Sequence, residues 1–147
     1  MHVRCIEEAQ ELQVCLQIRR AVFIDEQGVS EADELDHNDH LCRHFLATPD
    51  ELSPAARAMG TARLMWLDET TAKAQRVAVL KAYRQRGVGQ ALMLALEGEA
   101  ARAGRRVVKL SAQLTALSFY ERLGYTTHGR VYLDAGIPHR DMDKAVR

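Results

Sequence analysis

The stretch Arg76-Val77-Ala78-Val79-Leu80-Lys81-Ala82-Tyr83-Arg84-Gln85-Arg86-Gly87-Val88-Gly89-Gln90-Ala91-Leu92 limits the fold more than any other. It reads as an apolar strand, a tight turn holding two glycines, and a helix. Glycine lets the backbone take positive φ and approach a ligand closely. The free N–H groups of the turn and of the helix's first turn then converge on one point, which suits a phosphate. Arg84 and Arg86 add guanidinium groups whose planar geometry fits phosphate oxygens. Two phosphate-binding patterns do not fit. A Walker-A loop needs a lysine after its last glycine, and Gln90 follows Gly89. A dinucleotide fingerprint needs a third glycine where Leu92 stands, and an acidic residue closing the next strand, where Arg106-Val107-Val108-Lys109-Leu110 is basic. An ordinary strand-to-helix turn would also read this way.

A chain of 147 residues can form one domain, here taken as 1–147, with one sizeable core. Twenty basic and twenty acidic side chains cancel, which gives no support to nucleic acid or an anionic membrane as a bulk partner. No apolar run approaches the roughly 20 residues of a membrane span, and the opening residues lack an apolar leader core. A cytoplasmic location is expected. Cys5, Cys15 and Cys42 are too few and odd in number for a disulfide framework.

Taken in order, Met1 to Ile6 alternates as a strand, and Glu8 to Ile24 carries apolar residues at helical spacing, stopping near Gln27-Gly28. Cys42 to Thr48 and Ala55 to Leu67 read as a hairpin, with Gly60 marking a bulge or a close backbone approach. Thr71 to Leu80 is the strand that feeds the glycine turn, and Gln90 to Ala103 is the helix that leaves it. Gly98 inside that helix costs about 1 kcal/mol against alanine, so a packing reason is expected there. A strand from Arg106 to Ala112, a short helix from Thr115 to Leu123, and strands at Tyr125 to Leu133 and Ile137 to Met142 complete the chain. This order of about seven strands and four helices predicts an α/β (α+β) mixed sheet in a three-layer sandwich.

Glu31 to His44 gathers Glu31, Asp33, Glu34, Asp36 and Asp39 with His37, His40 and His44, and Cys42 beside them. On one helix the histidines would share a face and could hold zinc or iron. The strand that begins near Leu41 breaks that face, and no Cys-x-x-Cys or His-Glu-x-x-His pair is present. A solvated or substrate-facing acidic loop is the plainer reading, and no metal is expected.

The loop at Arg84, Gly87 and Gly89 resembles the pyrophosphate loop of the GCN5-related N-acetyltransferases, the GNAT family. A second stretch, Gln113-x-x-Ala116-x-x-x-Tyr120-Glu121-Arg122-Leu123-Gly124-Tyr125, is similar to that family's Asn-x-x-Ala-x-x-x-Tyr-Glu-Lys-x-Gly-Phe segment and follows one helix and one strand later. Further pieces resemble its ElaA/YjcF-type branch: Arg20, Phe23-Ile24-Asp25-Glu26-Gln27, Glu34-x-Asp36-x-x-Asp39, His44, Ala112-Gln113 and Gly136-Ile137-Pro138-His139-Arg140-Asp141-Met142.

The resemblance implies acetyl-CoA as acyl donor, a small-molecule primary amine as acceptor, and a homodimer through the last strands. It assigns the pyrophosphate to Arg84, Gln85, Arg86, Gly87, Val88 and Gly89. It gives the pantetheine arm to Val77, Ala78 and Val79, with Gln113 nearby, and makes Tyr120 the acid that meets the leaving thiolate. An amine must be neutral to attack, so a base is needed. Glu26 is the first candidate, with His139, Asp36 and His44 behind it. His139 follows Pro138 in a rigid turn and either lines the acceptor pocket or only bonds across the last hairpin. The cysteines read as small buried hydrophobes, because direct transfer needs no covalent intermediate. An acyl-CoA sensor without activity would use the same loop but would need neither Tyr120 nor Glu26.

Overall fold

The computed structural model describes residues 1–146. Seven strands form a single sheet: β1 (His2–Cys5), β2 (Arg43–Thr48), β3 (Gly60–Trp66), β4 (Thr71–Val79), β5 (Val107–Gln113), β6 (Thr126–Asp134) and β7 (Ile137–Ala145). Their order is β1-β2-β3-β4-β5-β7-β6. All neighbours are antiparallel except β4 and β5, which run parallel because the helix α3 (Val88–Arg102) crosses over between them. The other helices are α1 (Ala9–Arg19), the single turn α2 (Glu31–Glu34) and α4 (Leu117–Arg122).

The strand alternation divides two cores. On β2, Phe45 and Ala47 face Leu92, Leu96 and Ala100 of α3, while Leu46 between them faces Cys15 and Ile18 of α1. Helices therefore cover both faces of the sheet, giving the three layers that the element order predicts.

Differences from the sequence reading are local. The expected strand from Ala55 begins only at Gly60, after a 3-10 turn at Ala55–Arg57. Gly60 is the close approach anticipated: a Cβ there would meet the Ala78 carbonyl oxygen at 2.9 Å. Gly98 has no such reason, since its Cβ would meet only the flexible end of Arg102, at 3.3 Å. The first helix does not stay α-helical to its end. From Arg20 to Glu26 it widens into a π-helix, with Gln27 N–H donating to the Val22 carbonyl at 3.3 Å. It stops at Gly28, whose φ is +73°.

Candidate active site

The site begins where β4 and β5 part. Their parallel register runs from Thr71 opposite Val107 to Ala74 opposite Leu110, yet β4 continues to Val79 and β5 to Gln113. The cause lies in β4 itself. Arg76 takes φ +55°, and the pairing with β3 slips between Thr61 and Arg63, so β4 carries a bulge that bends its second half away from β5. A cavity of about 470 Å³ fills the gap, with Gln75 to Val79 on one wall and Leu110 to Gln113 on the other.

Val77, Ala78 and Val79 lie along this open edge. Leu80 N–H donates to the Met59 carbonyl at 2.9 Å, toward β3. Backbone groups alternate along a strand, so the N–H of Val79 points into the cleft. The Val79 carbonyl, on the same side, accepts from Arg84 Nε at 2.9 Å.

Beyond Val79 the chain makes a 3-10 turn at Lys81–Tyr83 and enters the glycine loop. Gln85 (φ +62°) and Gly87 (φ +82°) are both left-handed, which turns successive N–H groups toward one point. Gly87 caps α3, and among the described residues no side chain caps the helix, so the N–H groups of Val88 and Gly89 have no side-chain acceptor there. A Cβ on Gly89 would meet the Phe119 ring at 3.1 Å, so glycine lets the ring of α4 pack closely over the loop. Arg86 is exposed on the rim. These features make a helix N-terminal anion site with flanking guanidinium groups.

Glu26 does not stand free as a base. Its two carboxylate oxygens take both terminal nitrogens of Arg84, at 2.7 and 2.8 Å, and it is not among the cavity-lining residues. The Arg84 bond holds its carboxyl below the usual range, which weakens it further as a proton acceptor. Next to it, Gln27 Oε1 accepts from Gln113 Nε2 at 2.8 Å, so the two sides of the cleft meet the end of the first helix at neighbouring residues.

Tyr120 and His139 both line the cavity. Tyr120 is held edge-on between Phe119 and Tyr125, with ring centroids 4.9 and 5.8 Å away. Burial pushes its phenol well up, so the group stays protonated. His139 is 8% exposed. Its Nδ1 lies 2.6 Å from the Ile137 carbonyl, which fixes Nδ1 as the protonated nitrogen and leaves the lone pair on Nε2. Its ring stacks on Tyr132, whose hydroxyl donates to Asp141 at 2.6 Å and also meets Ser111.

The acidic histidine segment does something the sequence did not suggest. Arg19 and Arg63 are almost fully buried. Arg19 bonds Glu34 and Asp39, both at 2.7 Å, and Arg63 bonds Asp36 and Asp39 at 2.7 and 2.9 Å. Arg76, at the bulge, lies 2.7 Å from the second oxygen of Glu34. Three cations and three carboxylates thus form one neutral cluster, two members of which, Glu34 and Arg76, line the cavity. Arg63 holds the Asp36 carboxyl far below its usual range, so Asp36 is no base. His44 is buried, its Nε2 bonded to the Asp39 carbonyl at 2.8 Å, and burial lowers its basicity. His37 takes φ +64° and His40 lies in a separate 3-10 turn, so the three histidines share no face. Among the described residues no group of three or more His, Cys, Asp or Glu side chains has metal-binding geometry. Arg19, Arg63 and Arg76 had no spacing signal, because each sits on a different element.

A family model described as an acetyltransferase (GNAT) domain matches residues 24–146. YjcF of Bacillus subtilis, an uncharacterized N-acetyltransferase, is 34% identical over 137 residues, covering 92% of this chain and 93% of its own. An acyl-CoA N-acyltransferase from Pseudomonas aeruginosa superposes with a TM-score of 0.84 at 29% identity, covering 98% of this chain and 99% of its own. Escherichia coli ElaA superposes with a TM-score of 0.80 at 29% identity, covering 97% and 98%.

Proposed function

Because the chain belongs to the GNAT family of acetyltransferases, we propose that it transfers an acetyl group from acetyl-CoA directly to the primary amine of a small molecule. The observation that carries this reading is the parted β4/β5 edge, with an anion site at one end and Tyr120 and His139 lining the same cavity. The donor supplies a thioester activated toward attack by nitrogen. The uncapped start of α3 and the glycine loop suit its pyrophosphate, and the open edge at Val77 and Val79 suits an extended amide chain.

Within that arrangement the chain's own groups divide the work. The Val79 N–H donates to the carbonyl oxygen as negative charge develops there, a fixed dipole commonly worth several kcal/mol at the transition state. His139 Nε2, in place of Glu26, accepts the proton from the attacking amine, and its Nδ1–H stays on the Ile137 carbonyl. Tyr120 donates its phenolic proton as sulfur leaves. No cysteine lines the cavity, and burial pushes all three thiols up, which favours direct transfer over a covalent intermediate. A cavity of this size suits a small acceptor.

The test is release of free thiol from acetyl-CoA in the presence of a panel of polyamines, amino sugars, amino acids and lysine peptides. Acetylated product with at least one amine is expected. Acetyl-CoA binding without turnover on any member would instead favour a sensor.

A further inference from the structure

The end of the first helix is tied to both lips of the cleft. On the β4 side, Glu26 grips Arg84 with two bonds of 2.7 and 2.8 Å, and Arg84 in turn holds the Val79 carbonyl at 2.9 Å. On the β5 side, Gln113 donates to Gln27 at 2.8 Å. Glu26 and Gln27 end the π-helical turn, a rare conformation frequent at functional positions. The next residue, Gly28, is left-handed and ends the helix. Val22 and Phe23 of the same turn line the cavity, so the segment lies along the cleft as well as across its mouth.

We propose that Glu26 and Gln27 form a strap across the mouth of the β4/β5 cleft, whose two latches open to admit and release the acyl-CoA arm. The inference rests on the acetyl-CoA site argued above and gives Glu26 a role other than base. Two features make the latches openable. Glu26 and Arg84 keep 35% and 39% of their side-chain surface in water, and an ion pair so exposed is weak. The amide–amide bond is also exposed, and each of its partners exchanges readily with water. With the latches closed the strap spans the route by which the arm enters from the side. With them open, Gly28 and the π-helical turn allow the segment to lift while α1 stays packed on the sheet.

The test compares the full chain with Glu26→Gln, Gln27→Ala and the double variant, using coenzyme A itself as the probe on immobilised protein. All replaced side chains are exposed, so the fold is retained, and thermal melting checks this. The strap predicts that both association and dissociation rates rise, about threefold for each single change and about tenfold for the double, while Kd changes less than either rate. Unchanged rates in the double variant overturn the strap. So does a rise in dissociation alone, which would mean that Glu26 and Gln27 merely hold the bound ligand. If the unaltered chain does not bind coenzyme A, the acetyl-CoA reading fails and takes the strap with it. That outcome is distinct from binding with unaltered rates.

Discussion

At the scale of single residues, His139 and Tyr120 are related through what each can do with a proton. His139 is locked as a Nε2 acceptor by its own backbone neighbour, whereas Tyr120 is kept neutral by burial. Replacing His139 with alanine should lower kcat about a hundredfold or more, the ordinary worth of a positioned base, with little change in the Kd for coenzyme A. Single-turnover rates beside titrations check this, and full activity in His139→Ala would return the base to water or another group. Tyr120→Phe should cost about a hundredfold in kcat with thermal stability nearly unchanged, because the hydroxyl has no protein partner to lose among the described residues. A retained rate would mean that the thiolate leaves unaided. His139 was legible as a candidate from the rigid Gly-Ile-Pro-His turn. That Arg84 holds Glu26 was not, because the pair joins residues far apart in the chain.

At the scale of elements, the β4 strand and its glycine contacts decide whether a cleft exists. Gly60 lets β3 pass close to the Ala78 carbonyl, one pair beyond the bulge, and the contact is with backbone that cannot swing aside. Gly60→Ala should therefore destabilise the chain by about 1–3 kcal/mol, read from urea unfolding, and a loss below about 0.5 kcal/mol would show that the strands shift at no cost. The strand, the loop and the helix that follows were readable from apolar alternation and two glycines. The bulge at Arg76 was not, since arginine carries no left-handed preference. There Glu34 and Asp36 hold its guanidinium, at 2.7 and 3.3 Å.

At the scale of the whole molecule, the neutral cluster of Arg19, Arg63, Arg76, Glu34, Asp36 and Asp39 joins the first helix, the segment after it and the centre of the sheet. Breaking a buried pair leaves a charge without compensation, so Arg19→Ala should cost about 3–5 kcal/mol and lower the melting temperature markedly. A melting temperature near that of the unaltered chain would remove the cluster from the account. Its carboxylates also set the response to acid. The Asp36 carboxyl is lowered by Arg63, so its contribution is complete above the unfolded value near 3.8 and is lost as pH falls toward its lower folded value. His44 acts earlier. Burial lowers its folded pKa from 6.5, so the unfolded chain takes the proton first and stability declines as pH drops below about 6.5. Melting curves between pH 7 and pH 2 should fall in these two stages, the second only below about pH 3.8, and His44→Gln should flatten the first. The acidic segment announced itself in the sequence by composition. Its three arginine partners could not be seen, because α1, β3 and β4 meet only in the folded chain.

The most direct measurement is isothermal titration of the chain with acetyl-CoA beside an Arg84→Ala, Gly89→Val double variant whose fold is confirmed by melting. Gly89→Val drives a branched side chain toward the Phe119 ring and over the uncapped N–H groups, and Arg84→Ala removes the nearest guanidinium. The unaltered chain should bind with a Kd in the micromolar range, and the variant at least about a hundredfold more weakly. Equal binding by the two would place the ligand elsewhere, and no binding by the unaltered chain at millimolar ligand would contradict the acetyltransferase site itself.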